Sequence, residues 1–297
     1  MESIKKIDIH AHATGFPQYA APNIDGYRMV CAEEILSFYD KLNVEKGVLL
    51  PLISPEAQWL QIGVEETKWV ADSHPDRFMW FCNIDPRSAQ NSEKTDFAYI
   101  LEHYKKLGAR GVGELTSNLY ADDPKMDNLF YHCAKAKLPV TIHIAPEPSG
   151  FYGIVDDLGL PRLEKMLKKH PDLVILGHSQ PFWAEISECW DEIRNTYPTG
   201  KVKEGKLPKL LREYGNLCCD LSAGSAANAL MRDREYAAKF IEEFADRMYY
   251  GCDICATKNT FPYDFDQFLS DMRETGEISE ENYRKIVRDN AVRLLGL

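Results

Sequence analysis

Short apolar segments alternate with amphipathic helical segments eight times along the chain, and this alternation most constrains the fold. Continuous apolar strands separated by helices predict parallel strands that are buried on both faces. We therefore expect an α/β fold, a TIM (β/α)8 barrel, with residues 1–297 as a single domain and the active site at the C-terminal ends of the strands. The predicted strands are Ile4–Ala11, Glu45–Pro51, Phe78–Ile84, Ala109–Leu115, Pro139–Ile144, Leu173–His178, Leu217–Leu221 and Met248–Cys252. The predicted helices are Ala32–Leu42, Glu56–Ser73, Phe97–Leu107, Lys125–Lys137, Leu160–Lys169, Ala184–Thr196, Ala226–Ala245 and Ser279–Leu294.

A doubly wound open sheet is the alternative fold. It would need a glycine-rich phosphate-binding turn after an early strand, whereas the first strand here is followed by His-Ala-Thr-Gly. A length of 297 residues suits a barrel of about 250 residues that carries insertions. The stretch Tyr197–Leu207 is predicted to be an exposed part of the loop region between strands six and seven. No change of composition along the chain marks a second domain.

Composition narrows the possible functions. The net charge of −11 and the pI near 5.3 argue against binding to nucleic acid or to an anionic membrane, because both need a basic patch. No apolar run approaches the roughly 18 residues of a membrane span. The N-terminus lacks the apolar core of a secretion signal, and eight cysteines in a chain of this length do not form a dense disulfide framework, so we expect a cytoplasmic protein. The expected partner is a small-molecule substrate; a homo-oligomer stays open.

Two histidines, His10 and His12, stand at the end of the first predicted strand. Side chains two residues apart on a strand project to the same side, so their ring nitrogens can share one cation. The plain alternative is a pair of ordinary polar residues in a loop after a strand. The positions of the other ionisable residues decide between these two interpretations.

Four more predicted strands end in a histidine or a carboxylate, namely Glu114, His143, His178 and Asp253. Taken one at a time, such a histidine is more often a hydrogen-bonded core residue, and such an aspartate more often caps the next helix. Five strands with suitable residues at the same end of one barrel instead indicate a common site. Imidazoles with a carboxylate suit zinc or a similar divalent ion.

The remaining histidines serve as a control, because they fall in helices or in turns away from the predicted site: His74, His103, His132 and His170. Cys252 and Cys255 have the spacing of a zinc knuckle, but no second pair of this spacing exists, so a cysteine-ligated site is disfavoured.

The order of these residues resembles the metal-site pattern of the amidohydrolase superfamily. The segments Ile-Asp-Ile-His-Ala-His, Val-Thr-Ile-His-Ile, Leu-Gly-His-Ser and Tyr-Gly-Cys-Asp look most like its amidohydrolase-related branch, the "amidohydrolase 2" group. That branch contains hydrolases and also metal-dependent, oxygen-independent decarboxylases that resemble aminocarboxymuconate-semialdehyde decarboxylase. The resemblance spans the chain and is specific for the superfamily, but not for a substrate.

The resemblance implies that one divalent ion, usually zinc, is bound by His10, His12, His143 and Asp253. It also implies that His178 polarises the substrate or assists proton transfer, and that Asp253 contacts both the metal and the attacking water.

Two departures from the family pattern matter. Some relatives have a carboxylated lysine that bridges two metals, whereas Glu114 stands at the end of strand four here, like the bridging glutamate of the TatD-like nucleases. One ion or two therefore stays open. The loop His178–Trp183 also differs from the glycine-rich loop expected in the decarboxylases, so their substrate contacts do not transfer.

Three functions compete. The first is hydrolysis of a small amide, lactone or ester by a metal-activated water, with Asp253 as proton acceptor. The second is metal-dependent decarboxylation of an unsaturated or aromatic acid, which needs a cationic clamp for the substrate acid. Arg28, Arg87 and Arg110 are the arginines available near early loops or strands, and the sequence places none of them at the rim. The third is a binding or scaffold protein with a structural metal, although structural zinc sites are generally closed four-ligand cages.

Aromatic residues are frequent in the predicted loops after the strands: Phe16, Tyr19, Trp59, Phe151, Tyr152, Phe182 and Trp183. They either pack over the mouth of the barrel or line a pocket for a substrate that is partly planar or apolar.

Overall fold

The computed structural model describes residues 4–56 and 61–297, and its parallel strands confirm the predicted barrel. The strands are β1 (Lys6–Ala11), β2 (Val44–Leu49), β3 (Phe78–Trp80), β4 (Val112–Leu115), β5 (Val140–Ala145), β6 (Ile154–Val155), β7 (Ile175–His178), β8 (Leu217–Asp220) and β9 (Met248–Tyr249). Each of the eight predicted strands corresponds to one of these, and β6 is additional. Most are shorter than predicted.

Hydrogen bonds close the strands into a ring. One sheet has the order β1-β2-β3, and a second has the order β4-β5-β7-β8-β9, with β6 paired to β5. The first seam between the sheets is a parallel bridge from Cys82 to Val112. At the second seam, the backbone N–H of Ile9 donates to the carbonyl oxygen of Tyr250 at 3.0 Å. The two sheets therefore form one closed barrel, and the open-sheet alternative is excluded.

Helices follow the strands as the alternation predicts. They are α1 (Ala32–Leu42), α2 (Val64–Ser73), α3 (Ala98–Lys106), α4 (Pro124–Ala136), α5 (Pro161–Lys169), α6 (Gln180–Ala184), α7 (Asp191–Arg194), α8 (Leu207–Glu213), α9 (Ala223–Met231), α10 (Arg234–Phe244), α11 (Phe261–Glu274), α12 (Glu280–Arg284) and α13 (Asn290–Leu295). The predicted helix Glu56–Ser73 extends over residues 57–60, which lie outside the described residues, as does Trp59. None of the helices described is long and apolar enough to cross a membrane.

One predicted helix, Ala226–Ala245, is two helices in the structure. The break falls at Asp233, whose side chain accepts a hydrogen bond from the backbone N–H of Tyr236 and so begins α10. A capping aspartate satisfies a backbone donor at a helix start, which makes a new helix favourable at this point.

An apolar cluster fills the inside of the barrel. Its buried members come from strands around the ring and from α13: Ile7, Ile9, Val48, Leu50, Phe81, Leu176, Cys218, Tyr249, Ala291 and Leu295. Farther along the same strands, at their C-terminal ends, the buried side chains become polar. The barrel therefore has a packed apolar interior and a polar group of residues at the rim where active sites of this fold occur.

Candidate metal centre

All six residues predicted for the site lie at the C-terminal ends of the strands, where the barrel brings them together. Five are buried, and only Asp253 is partly accessible. The six are His10, His12, Glu114, His143, His178 and Asp253. Residues from five different strands thus share one small volume.

His10 and His12 face each other with their Nε2 atoms 3.0 Å apart. The Nδ1 atom of His12 lies 2.8 Å from the carbonyl oxygen of Leu50, which can only accept, so Nδ1 carries the proton. The Nδ1 atom of His10 donates to a carboxylate oxygen of Asp220 at 2.5 Å. In the neutral rings both Nε2 atoms therefore present lone pairs to each other, and only a cation or a proton between them removes the repulsion.

The 3.0 Å separation of these nitrogens also suits two ligands of a single ion. Nitrogens bound to one zinc at about 2.0–2.1 Å lie roughly 2.8–3.4 Å apart, depending on the angle at the ion. Burial lowers the pKa of His10, but the charges of Asp220 and Asp253, together with hydrogen bonds to Asp220 and Glu114, raise that pKa well above its ordinary value.

Two carboxylates surround the histidine pair. Asp253 places Oδ1 3.8 Å from Nε2 of His10 and 3.6 Å from Nε2 of His12. Glu114 places Oε2 3.7 Å and 3.4 Å from the same two nitrogens. Within residues 4–56 and 61–297, every ion-pair partner of these carboxylates is a histidine, and none is a lysine or arginine. Glu114 is buried and Asp253 is partly accessible, and neither has a fixed cation beside it among the described residues. A divalent ion compensates the charge of such carboxylates, so the residues fit a metal.

His143 lies against Glu114, with its Nδ1 atom 2.7 Å from Oε1. Three groups of side chains in the described part of the chain have ligand atoms close enough to hold an ion: His10, His12 and Asp253; His10, His178 and Asp220; and Glu114, His143 and His178. His143 therefore falls in a different group from His10 and His12. The binding of one ion by His10, His12, His143 and Asp253 stays a prediction.

His178 stands between the two carboxylates of the site. Its Nε2 atom is 3.7 Å from Oδ2 of Asp253 and 4.0 Å from Oε1 of Glu114. Burial is the largest influence on its pKa, and together with the neighbouring His10 it lowers that pKa to about 4. A neutral imidazole at neutral pH can donate one hydrogen bond and accept another, which suits a group that polarises a substrate.

Two polar residues at and just after the end of β8 contact the site histidines and were not predicted for the site. Asp220 is fully buried and bonds to His10, and Ser222 places its hydroxyl 3.0 Å from Nδ1 of His178. A signal existed, because Asp220 stands at the C-terminal end of the predicted strand Leu217–Leu221, level with the other site residues.

The aromatic residues divide between packing and the site. Phe182 and Trp183 are buried in the core, and Phe16 stacks on Trp69 at a ring distance of 5.5 Å. Tyr152 differs: its ring centroid is 4.4 Å from that of His143, and the side chain is partly exposed. Among the described members of the predicted set, Tyr152 is thus the one with a ring contact to a site histidine.

None of the three arginines considered for a substrate clamp reaches the site. Arg28 pairs with Glu34, and Arg87 pairs with both Asp85 and Glu56. Arg110 lies beside Gly296, at the end of α13, where the barrel strands begin. A clamp for a substrate carboxylate would have to come from another residue.

Comparisons with known proteins agree with the barrel fold. A family model described as amidohydrolase matches residues 7–297. No functionally curated protein sequence matches the chain. Among solved structures, an uncharacterised TIM-barrel protein from Bordetella bronchiseptica has a TM-score of 0.69 at 17% identity, covering 99% of both chains.

Two other solved structures carry functional names. A probable 2-pyrone-4,6-dicarboxylic acid hydrolase from Acinetobacter baumannii, with citric acid bound, has a TM-score of 0.61 at 16% identity and covers 99% of this chain and 100% of its own. A dihydroxybenzoic acid decarboxylase from Polaromonas sp. JS666, with bound manganese and 2-nitroresorcinol, has a TM-score of 0.61 at 19% identity and covers 98% of this chain and 97% of its own. At such identities the likeness establishes the fold.

Proposed function

Because the chain belongs to the amidohydrolase family, we propose that it is a metal-dependent hydrolase that cleaves a small, uncharged amide, lactone or ester. The observation that carries this proposal is the facing pair of Nε2 atoms 3.0 Å apart, surrounded by carboxylates whose ion-pair partners among the described residues are all histidines. We propose zinc as the ion, since imidazole nitrogens and carboxylate oxygens are common zinc ligands.

Each side chain has a part in this proposal. His10, His12 and Asp253 would hold the ion, and Oε2 of Glu114 lies near enough to complete the set. A bound divalent ion lowers the pKa of water from 15.7 to about 7 and polarises a carbonyl group. His143 donates to the other oxygen of Glu114 at 2.7 Å and so fixes the orientation of this carboxylate.

Asp253 has one oxygen for the ion and one for a proton. Oδ1 faces the two histidine nitrogens, whereas Oδ2 faces Nε2 of His178 at 3.7 Å. With Oδ1 engaged, Oδ2 can accept the proton of the attacking water and deliver it to the leaving group. The partial exposure of Asp253 gives water a path to this oxygen.

The charge of the site favours an uncharged substrate. Glu114, Asp253 and Asp220 carry three negative charges when ionised, so one divalent ion leaves one of these charges uncompensated. A substrate carboxylate would add a further negative charge, and the part of the chain described offers no lysine or arginine in contact with these residues. A neutral carbonyl group avoids this repulsion.

Metal-dependent, non-oxidative decarboxylation of an unsaturated or aromatic acid is the second candidate. Its support is the ring of Tyr152, which offers a partly exposed aromatic face 4.4 Å from the ring of His143. A planar acid could stack on such a face. The decarboxylase from Polaromonas, with manganese bound, shares the fold, and manganese is accordingly the alternative ion.

The test is a substrate panel on the metal-loaded protein. Neutral lactones, esters and amides are followed by acid release, and hydroxybenzoates are followed by CO2 release. Acid release without CO2 supports hydrolysis, and the reverse result supports decarboxylation.

The Asp253→Asn variant then tests the mechanism on the best substrate. Loss of a general acid–base group lowers turnover by about 10²- to 10⁴-fold, so we expect a decrease in this range with most of the metal retained. Asp157→Asn is the control, because Asp157 pairs with Arg162 outside the site. Near-normal turnover of Asp253→Asn would refute the role of Asp253.

A further inference from the structure

A buried arginine fixes the ends of the loop that follows β5. Arg194 is 2% exposed, and its guanidinium group donates hydrogen bonds to three backbone carbonyl oxygens. These oxygens belong to Pro146 at 3.4 Å, Asp156 at 3.1 Å and Asp157 at 3.4 Å. Pro146 directly follows β5, whereas Asp156 and Asp157 directly follow β6. One side chain therefore holds both ends of the segment 146–157.

Asn118 holds the middle of the same segment. Its side-chain NH2 group donates to the carbonyl oxygens of Glu147 at 3.4 Å and Gly153 at 3.3 Å. Its Oδ1 atom accepts from the backbone N–H of Ser149 at 2.7 Å. The backbone N–H of Gly153 in turn donates to the carbonyl oxygen of Thr116 at 2.8 Å. These bonds give the loop a defined position beside the site.

Gly153 allows the loop to touch His143. Its φ is +120°, a conformation that glycine adopts readily and other residues rarely do. A Cβ atom on Gly153 would lie 2.9 Å from Cδ2 of His143, so the backbone of the loop packs directly against the imidazole ring. The preceding residue, Tyr152, is thereby brought to the same ring. The ring centroids of Tyr152 and His143 are 4.4 Å apart, with 42° between the ring planes.

Tyr152 keeps much of its surface free although it lies in a fixed loop. It is 43% exposed. Within residues 4–56 and 61–297, its ring contacts no aromatic ring except that of His143, and its hydroxyl has no hydrogen-bond partner. From His143 the imidazole rings continue to His178 at 5.3 Å and then to His10 at 4.6 Å. Tyr152 therefore offers an open aromatic surface at the outer end of a row of rings that leads to the proposed ion.

We propose that Tyr152 is a specificity-determining residue whose ring packs against a planar group of the substrate beside the reacting carbon. Such a contact removes exposed aromatic surface from water, and paired rings gain further free energy from their arrangement. The inference rests on the proposed function and narrows the substrate to aryl or conjugated esters, lactones and amides. Decarboxylation of an aromatic acid would use the same contact, so Tyr152 selects the shape of the substrate and not the reaction.

The experiment measures the binding of two hydroxamic acids to the zinc-loaded whole protein by calorimetry. Benzohydroxamic acid and acetohydroxamic acid carry the same metal-binding group, but only the first carries a planar ring. The ratio of their dissociation constants therefore reports the contact made by the ring. Tyr152→Ala removes the tyrosine ring, whereas Tyr152→Phe keeps a ring in its place. The matched control is Tyr131→Ala, because Tyr131 is 48% exposed and lies on α4, with Nζ of Lys135 5.6 Å from its ring centroid.

For the wild type, Tyr152→Phe and Tyr131→Ala we expect benzohydroxamic acid to bind about tenfold more tightly than acetohydroxamic acid. For Tyr152→Ala we expect this preference to be lost, while the zinc content and the affinity for acetohydroxamic acid stay unchanged.

A wild type without a preference for the aromatic probe overturns the proposal, and so does a protein that binds neither probe. A preference that is undiminished in Tyr152→Ala, or that disappears in Tyr152→Phe, also overturns it. Because these readouts need no turnover, the expected binding without hydrolysis of any ester, lactone or amide would refute the proposed function alone.

Discussion

Replacing Asp220 with asparagine should weaken zinc binding by about 10- to 100-fold while leaving every proposed ligand in place. Asp220 is fully buried behind His10 and accepts two hydrogen bonds, from Nδ1 of His10 at 2.5 Å and from the backbone N–H of Ser222 at 3.0 Å. It thereby fixes the ring that must present Nε2 to the ion. A carboxylate behind a ligating histidine both orients the ring and makes it a stronger base.

The magnitude follows from the two bonds. Asparagine has one oxygen, so it can satisfy only one of the two donors that the carboxylate of Asp220 accepts. Its NH2 group must then face the other donor, and an unsatisfied buried donor costs roughly 1–3 kcal/mol. If the unsatisfied donor is Nδ1 of His10, the ring is no longer held in place and this free energy is lost from zinc binding. The loss corresponds to about a 10- to 100-fold lower affinity for zinc, since each 1.4 kcal/mol is tenfold.

The assay is competition for zinc between the protein and a fluorescent chelator at constant pH. The matched control is Asp156→Asn. Asp156 is also fully buried, but within the described residues it accepts hydrogen bonds only from the backbone N–H groups of Asp157, Arg162 and Leu163. The control should lose stability and keep its zinc affinity. If Asp220→Asn binds zinc within twofold of the wild type, or if both variants weaken equally, Asp220 does not act through His10.

Two further predictions concern stability. Burial raises the pKa of Asp156 from 3.8 to about 6, so its contribution to stability is present at low pH and is lost as the pH rises through 6. Relative to Asp156→Asn, the free energy of unfolding of the wild type should therefore increase by about 1.4 kcal/mol from pH 7.5 to pH 5 in urea titrations; parallel pH profiles would contradict this. In Gly177→Ala the new Cβ would lie 2.1 Å from the ring of Phe182, so we expect a loss of about 1–3 kcal/mol. Gly215→Ala should be neutral, because no atom of residues 4–56 and 61–297 lies within 4 Å of its new Cβ. Equal urea midpoints for the two alanine variants would disprove the packing argument.

The barrel and most of the site could be predicted because both depend on simple patterns. Buried parallel strands are continuously apolar, so the place where a polar residue ends each run is visible in the sequence. His143 and His178, for example, stand three residues from the start of β5 and β7, and the pairing of these strands sets the two histidines side by side. Closure of the barrel then brings residues from distant parts of the chain to one rim.

The lengths of the strands could not be predicted in the same way. The apolar run Phe78–Ile84 continues beyond β3, which ends at Trp80, because Cys82 turns to pair with Val112 across the seam between the sheets. Similarly, the apolar run Met248–Cys252 continues beyond the end of β9. The backbone N–H of Asp253 then donates to the carbonyl oxygen of His10 instead of continuing the ladder between β8 and β9. An apolar run in the sequence indicates that its residues are buried. These residues stay buried through the turns, although the pairing between strands has already ended.

Asp220 and Ser222 could not be assigned to the site for a different reason. An aspartate and a serine between a strand and a helix are the usual residues of a helix start, so their types alone give no reason to assign them to the site. What distinguishes Ser222 is the hydrogen bond to the helix that it does not make, and the one to His178 that it makes instead. Such a choice between two available partners depends on the position of a histidine 44 residues away. In this site the residues that would hold the ion follow a pattern along the chain, but the residues that contact the histidine rings from behind, such as Asp220, become recognisable only once the barrel is closed.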